Sequence, residues 1–315
     1  MEIEKINVEF PPEFQEIRHV LKKIFDSYIE ELKSRKVLFG PYSKIHLIEL
    51  QKKIMGTIAR GNKNWNYLLG ASACAQAIKL QHALELLETQ TLQSFNKYLK
   101  NLLEQAEKKQ SKGVVKLVSQ PEFNFAFMQS NELLIKNKEH PKLERIIEII
   151  KEEIKNKEDS KIIVFSQFRD TATIIAKKLN EYGDIRAKIF VGQAKKLDTG
   201  LSQKQQKKII EDFSEGKINV LCATSIGEEG LDIPEVNAVI FYEPVPSAIR
   251  KIQRAGRTAR LMRGKIIMLI TKGTRDETFY YVSRSKERKM HEAIKETKED
   301  LANGKLNKER QNTLF

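Results

Sequence analysis

Cysteine is scarce in this sequence, with only Cys74 and Cys222 present. Two distant thiols make no disulfide framework, and neither they nor the five histidines have the spacing of metal ligands. We therefore expect no metal site in this chain. No apolar run reaches membrane-spanning length, and the N-terminal stretch MEIEKINVEF lacks a signal-peptide core. These absences predict a cytoplasmic protein with no membrane partner.

Two motifs of ATP-hydrolysing motors are also absent. The sequence contains no G-x-x-x-x-G-K-[ST] phosphate loop and no Asp-Glu-x-His box. In phosphate-loop enzymes, the loop lysine and backbone amides hold the phosphates, and the acidic box holds magnesium. We therefore expect that this chain alone does not hydrolyse ATP at the rate of a motor enzyme.

Basic residues are in excess. Lys and Arg number 56 against 42 Asp and Glu, which gives a formal net charge of +14. Such a surplus favours a polyanionic partner, with nucleic acid first and an anionic membrane surface second. Lys- and Glu-rich surfaces also occur in heat-adapted proteins, so charge does not decide the partner by itself.

The pattern of apolar residues divides the chain into regions. A lead-in segment (1–12) precedes a region with helical periodicity (13–130), an α/β region (131–296) and a polar tail (297–315). We predict an all-α domain of three to five helices, followed by a parallel sheet with helices on both faces. The predicted strands are Lys161–Phe165, Ala187–Val191, Asn219–Ala223, Ala238–Tyr242 and Lys265–Ile270. Ligands bind at the carboxyl ends of strands in such sheets.

A small-residue stretch, TSIGEEGLDIP, follows the third predicted strand. Its small residues let backbone amides approach a phosphate, and Thr224 and Ser225 add hydroxyl donors. Gly230 permits a tight turn, and Asp232 supplies a carboxylate. The alternative is an ordinary turn and helix start that Pro234 ends.

An arginine pattern follows the fourth predicted strand. Gln253, Gly256, Arg257 and Arg260 form Q-x-x-G-R-x-x-R. Side chains three residues apart on a helix point the same way, so the two guanidiniums suit a triphosphate. The alternative is a basic, solvated helix face.

Together, these two stretches resemble motifs V and VI of superfamily-2 helicases. The stretch KIIVFSQFR at 161–169 is similar to motif IV, and 190–193, 200–204 and 241–250 extend the similarity. The stretch LQHALELLETQ at 80–90 carries it into the helical half. The whole pattern resembles the archaeal Hef helicases, which are relatives of the eukaryotic FANCM branch-remodelling translocases.

The resemblance implies a RecA-like second motor domain behind a thumb-like helical insert that engages branched DNA. It implies that Arg257 and Arg260 are arginine fingers for ATP on another motor domain. Gly230 and Asp232 then lie near the nucleotide sugar or couple ATP to DNA. Gln253 is implied to lie at the interdomain cleft, and Gly256 belongs to the same cofactor-binding set. Contacts to the nucleic-acid backbone are implied for Ser166, Gln167, Arg169, Gly192, Thr224 and Ser225.

The implied activity is that of half an enzyme. A separate N-terminal half would hold ATP and Mg²⁺, and the pair would move on forked or branched DNA in repair and replication-fork processing. The Hef nuclease is also missing, and a start at Met here suggests a split gene, a truncated reading frame or an expressed fragment. Two alternatives stay open. One is an ATPase-inactive branched-DNA or sliding-clamp adaptor, and the other is half of an RNA helicase.

Two further segments have a binding pattern. Between Ser43 and Leu80 the sequence has one acidic residue and the basic residues Lys44, Lys52, Lys53, Arg60, Lys63 and Lys79. Basic residues interleaved with Trp65 and Tyr67 suit backbone contact and base stacking; we assign DNA binding to Lys52, Lys53, Arg60 and Lys63. The alternative is a solvated helix with Trp65 anchoring a loop in the core. At the C-terminus, Gln311, Leu314 and Phe315 resemble a short sliding-clamp-binding peptide. The alternative is a chance match, because the pattern is only a few residues long.

Overall fold

The computed structural model describes residues 3–61, 64–157, 159–192, 201–224, 234–244 and 262–282, together with Ser285. The strands are β1 (Ile3–Val8), β2 (Ile162–Phe165), β3 (Ala187–Phe190), β4 (Val220–Ala223), β5 (Val236–Phe241) and β6 (Met262–Thr271). A bundle contains α1 (Pro12–Ser34), α2 (Lys44–Ala59), α3 (Trp65–Thr89), α4 (Leu92–Glu107), α5 (Lys112–Val118) and α6 (Pro121–Ile135). Helices α7 (Pro141–Asn156), α8 (Arg169–Leu179), α9 (Gln203–Ser214) and α10 (275–282) accompany the sheet.

The six strands form one parallel sheet in the order β1-β6-β5-β2-β4-β3. The five strands predicted from apolar runs are all present, and the predicted fold class is confirmed. Strand β1 was not predicted, because residues 1–12 were interpreted as a lead-in segment. It pairs with β6 from Ile3↔Ile266 to Val8↔Thr271. The bundle is therefore an insertion between the first strand of the sheet and α7.

Both faces of the sheet are buried, as parallel connections require. Alternate strand residues, such as Val164 and Cys222, pack with α7 and α8 in one core. Their neighbours, such as Phe165 and Leu221, pack with α9 and with Tyr280 of α10 in a second core. Strands buried on both faces are continuous apolar runs, which is why the sequence revealed them.

Local sequence signals determine where the sheet-side helices begin and end. Ser202 caps α9 in a capping box with Gln205, and Gly216 follows the helix at φ +75°, a conformation that favours glycine. His140 caps α7, and Pro141 occupies its first turn, where a missing N–H costs nothing. These predicted boundaries are confirmed.

The bundle has its own core, built mainly on α1 and α3. Five of its helices lie between Pro12 and Gln120, and α6 follows them. On α3, Ala73, Cys74 and Ala77 are buried, and their small size lets the neighbouring helices approach closely. Gly40 and Gly61, at φ +71° and +89°, mark the predicted breaks on either side of α2.

Candidate nucleic-acid and nucleotide interface

The carboxyl ends of β2, β4 and β3 lie side by side at one edge of the sheet. Ser166 follows β2, Thr224 follows β4, and Gly192 lies just beyond β3. The Ser166 amide donates to the Ala223 carbonyl at 3.0 Å, and the Thr224 amide donates to the Phe190 carbonyl at 3.3 Å. Three residues with an implied nucleic-acid role therefore share the edge where ligands bind in open parallel sheets.

Three residues with a predicted nucleic-acid role lie at the turn between β2 and α8. One of them is buried and two are exposed. The Ser166 side chain is buried, and its hydroxyl lies 3.4 Å from the Gln90 amide oxygen and 3.4 Å from the Glu243 carboxylate. Gln167 and Arg169 are exposed. A ligand at this turn therefore meets the last two side chains, whereas the serine contacts other parts of the protein.

Much of the predicted site lies outside the described residues. Among the predicted nucleic-acid contacts, the residues that lie outside are Ser225 and Lys63. At the predicted nucleotide site they are Gly230, Asp232, Gln253, Gly256, Arg257 and Arg260, and in the C-terminal peptide they are Gln311, Leu314 and Phe315. In the sequence, the arginine pattern follows β5, whose end lies beside that of β2. The Tyr242 amide donates to the Phe165 carbonyl at 2.8 Å at this point.

A second basic surface lies on the bundle. Lys52 and Lys53 are exposed on α2, and Arg60 is exposed directly after it. Trp65, the first residue of α3, has 74% of its surface exposed, so the alternative in which it anchors a loop in the core is wrong. Tyr67 is the aromatic residue here that packs against the bundle core. The exposed indole leaves a flat ring available to a ligand.

A buried polar corner joins the bundle to the sheet unit. Thr89, the last residue of α3, is almost fully buried, as are Gln90 and Thr91 between α3 and α4. Lys142 of α7 donates to the Thr89 carbonyl at 2.7 Å and to the Asp276 carboxylate at 2.8 Å, and both charged side chains are fully buried. Sequence reasoning missed this corner. The available signal was a polar run between two leucine-rich helices.

Glu243, directly after β5 and Tyr242, reaches the same corner. Its buried carboxylate accepts a hydrogen bond from the Gln167 amide. Burial raises the pKa of Glu243 to about 7, although Lys142 and the Gln167 amide act in the opposite direction. The carboxylate therefore links the end of β5 to the turn after β2.

Two more carboxylates tie the bundle to the sheet unit. Glu139 accepts hydrogen bonds from the Leu92 and Gln93 amides, the latter at 3.2 Å, and so caps the first turn of α4. Glu88 of α3 accepts from the Arg275 amide at 3.1 Å. Burial raises the pKa of both carboxyls, against the effect of these donors. The junction is thus polar and highly hydrogen-bonded.

Two negative observations apply to the described part of the chain. It contains no group of three or more His, Cys, Asp or Glu side chains that could hold a metal ion. Within the same residues, every helix is too short or too polar to cross a membrane.

Comparison with known proteins assigns a family to both halves. Residues 141–262 match the helicase conserved C-terminal domain. Residues 13–141 match the family described as putative ATP-dependent RNA helicase, helical bundle. The parallel sheet and its strand-end motifs therefore define a RecA-like helicase C-terminal domain with a helical bundle before it.

Individual relatives indicate which helicases the chain resembles. The crystal structure of the Pyrococcus furiosus Hef helicase domain has a TM-score of 0.78 and 39% identity, covering 90% of this chain and 58% of that one. A putative ATP-dependent RNA helicase of Methanocaldococcus jannaschii is 38% identical over 294 residues, covering 92% of this chain and 36% of the relative. The ATP-dependent DNA helicase mph1 of Neurospora crassa is 33% identical over 292 residues, covering 88% and 25%. The chain is thus a helicase C-terminal region with a helical bundle before it, and it is similar to Hef, FANCM and Mph1.

Proposed function

We propose that this chain supplies the second motor domain and the DNA-binding insert of an ATP-dependent helicase or translocase for forked or branched DNA. The chain spans only 36% and 25% of the two curated relatives compared above, so the activity of the whole enzyme is part of this proposal. The observation that supports it most is the shared strand edge, where exposed Gln167 and Arg169 lie beside Thr224.

ATP is the cofactor that this family implies, and ATP supplies the free energy of movement when bound. The donor chemistry of Arg257 and Arg260 fits a triphosphate, since planar guanidiniums bind phosphate oxygens in pairs. The pattern that contains them follows β5, whose carboxyl end adjoins the turn after β2. Mg²⁺ does not fit this chain in the same way, because the sequence has no acidic box. We assign magnesium to the other motor domain.

The exposed polar groups at the sheet edge suit a nucleic-acid backbone. Gln167 and Arg169 can donate hydrogen bonds to phosphates, and the small residues Gly192 and Thr224 leave room for a nucleic-acid strand to approach the sheet edge. Contacts of this kind fix position without choosing a sequence, which suits a motor that moves along DNA.

The bundle surface suits a second contact with branched DNA. Lys52, Lys53 and Arg60 offer positive charge, and Trp65 offers an exposed ring on which an unpaired base can stack. Replacing Trp65 by alanine is expected to weaken fork binding by roughly tenfold, at about 1–3 kcal/mol per stacked base. Thermal stability should stay unchanged, because the ring is mostly outside the core. Equal fork affinity for Trp65→Ala would remove the stacking contact from the proposal.

DNA is favoured over RNA as the substrate. Mph1 and the fission yeast relative fml1 are described as DNA helicases, whereas the Methanocaldococcus jannaschii relative is described as a putative RNA helicase. A direct competition between fork DNA and fork RNA of the same sequence separates the two. Preference for the RNA fork would overturn the DNA assignment.

The decisive test is the fork-stimulated ATPase rate of this chain, alone and mixed with a phosphate-loop motor domain of the same family. We expect activity only in the mixture. Arg257→Ala should abolish that activity and leave fork binding by this chain intact. Arg145→Ala is the matched control, because it also removes one arginine but breaks only an exposed ion pair with Glu148.

Two results would contradict the proposal. Full ATPase activity of the Arg257→Ala mixture would exclude the arginine as a finger. Tight fork binding by this chain with no ATPase in any mixture would favour the adaptor hypothesis. In that case, binding of the sliding clamp, and its loss on Phe315→Ala, becomes the next measurement.

A further inference from the structure

The turn after β2 carries Gln167 and Arg169, and its conformation depends on contacts from distant parts of the chain. The Gln167 amide donates to the Glu243 carboxylate, so the exposed end of the turn is fixed by a residue that follows the neighbouring strand β5. The other Glu243 oxygen is buried without a hydrogen-bond partner among the described residues. Burying a carboxylate with one unpaired oxygen costs free energy, so a glutamate retained at this position has a specific structural role.

The bundle reaches the same point through Gln90. Its amide oxygen and the Glu243 carboxylate both lie 3.4 Å from the Ser166 hydroxyl, which has a single proton to donate. The Gln90 amide nitrogen in turn donates to the Thr89 hydroxyl at 2.9 Å. The corner of the bundle and the end of β5 therefore converge on one serine inside the turn.

The corner itself cannot shift easily. Lys142 holds the Thr89 carbonyl from α7, and Asp276 of α10 holds Lys142. Glu139 holds the first amides of α4. Helices α7 and α10, together with the connection before α7, thus fix the corner that contacts Ser166.

We propose that Glu243 and Gln90 are positioning residues for the β2–α8 turn, and that they couple the bundle to the part of the turn that grips nucleic acid. Glu243 fixes the backbone of Gln167, and Gln90 brings the bundle into the same hydrogen-bond cluster. A displacement of the bundle by a DNA branch is then transmitted to the turn through Gln90 and Ser166. This inference rests on the proposed function for its nucleic-acid part only.

The test compares Glu243→Leu with Glu243→Gln in the full chain. Leucine has a similar size and lacks an acceptor, whereas glutamine keeps an oxygen that can accept from the Gln167 amide. We expect amide hydrogen exchange at Gln167 to speed up at least tenfold in Glu243→Leu, with exchange in the middle of β2 unchanged. Glu243→Gln should stay within about threefold of the wild type.

Fork affinity supplies the second readout, and two more variants complete the set. We expect Glu243→Leu to weaken fork binding about tenfold and Gln90→Leu about threefold. Asp170→Asn is the control, because it breaks the exposed 3.0 Å ion pair with Lys97 that also joins α8 to the bundle. This control should neither speed exchange at Gln167 nor weaken fork binding, because it removes only a negative charge beside Arg169.

Unchanged exchange at Gln167 in Glu243→Leu would overturn the proposal, and so would a Glu243→Gln variant as impaired as Glu243→Leu. If Glu243→Leu does not fold, Gln90→Leu still decides, because faster exchange at Gln167 is expected there as well. If the wild type binds no fork but the exchange pattern appears, the positioning role stands and the proposed function fails.

Discussion

Replacing Lys142 with methionine would leave Asp276 as a buried carboxylate without its cation. The two side chains are fully buried and 2.8 Å apart. Methionine has a similar length and volume, so the change removes charge and hydrogen bonds and leaves little empty space. The variant therefore isolates what the ion pair contributes at the junction of bundle and sheet.

The expected loss follows from the contacts. Removing one partner of a buried ion pair costs about 3–5 kcal/mol, because the other charge stays buried. The Thr89 carbonyl also loses its 2.7 Å donor, and an unsatisfied buried acceptor costs about 1–3 kcal/mol. Some overlap between these effects leaves about 4–6 kcal/mol. At about 2–4 °C per kcal/mol for a chain of this size, the melting temperature should fall by about 10–20 °C.

The loss should also depend on pH. Burial raises the pKa of Asp276 above its ordinary value of 3.8, and Lys142 opposes that rise. Without the lysine the pKa rises further. A carboxyl group with a raised folded-state pKa costs stability as the pH increases from its unfolded value through its folded value. The deficit of Lys142→Met should therefore grow above about pH 4, where the unfolded carboxyl ionises.

Urea unfolding followed by circular dichroism at pH 5 and pH 8 measures both effects. The double variant Lys142→Met/Asp276→Leu should recover part of the loss, since an apolar pair of similar volume often replaces a buried ion pair at little cost. The rest should remain, because the Thr89 carbonyl and the Thr271 amide, which donates to Asp276 at 3.0 Å, stay without these partners. A loss below about 1 kcal/mol in Lys142→Met would refute the reasoning from burial. A double variant no more stable than the single one would refute the assignment to an unpaired charge.

Three further outcomes can be checked. Gly264→Ala should prevent correct pairing of β5 and β6, because its Cβ would lie 1.8 Å from the Asn237 carbonyl oxygen; a folded variant with wild-type circular dichroism would contradict this. Glu139→Ala should lower the free energy of unfolding by about 1–2 kcal/mol, since the Leu92 amide loses its cap; urea denaturation tests it, and an unchanged midpoint would argue against a cap. The Cys222 thiol is buried, and burial raises its pKa, so a thiol reagent should label it no faster than the protein unfolds; rapid labelling of native protein would be the opposite result.

The sequence predicted strands where a local pattern was sufficient. Strands β2 and β4 are short apolar runs between polar turns, so they were predictable without knowledge of their partners. Strand β1 has the same extended character, but its partner β6 begins at Met262. Pairing between residues more than 250 positions apart cannot be detected from a short stretch of sequence. The short strand β1 therefore cannot be distinguished from a lead-in segment by its sequence alone.

The candidate site was predictable to a similar extent. The ends of β2, β3 and β4 follow from the parallel order, so Gln167, Gly192 and Thr224 could be expected at one edge. The burial of Ser166 could not, because it depends on Gln90 and Glu243, which come from separate parts of the chain. Contacts between residues so far apart in sequence depend on the fold and cannot be deduced from the spacing of residues in a motif.

The pairing of β1 with β6 has a consequence for synthesis of the chain. During translation, β1 and the bundle leave the ribosome long before β6 exists, so this strand must wait with its backbone hydrogen-bonding groups unpaired. Exposed strand edges pair readily with other chains. The bundle, whose contacts are mostly between helices close in sequence, can fold during that wait. The bundle separates β1 from the other described strands along the chain, so β1 can pair with β6 only after the rest of the sheet has been synthesised.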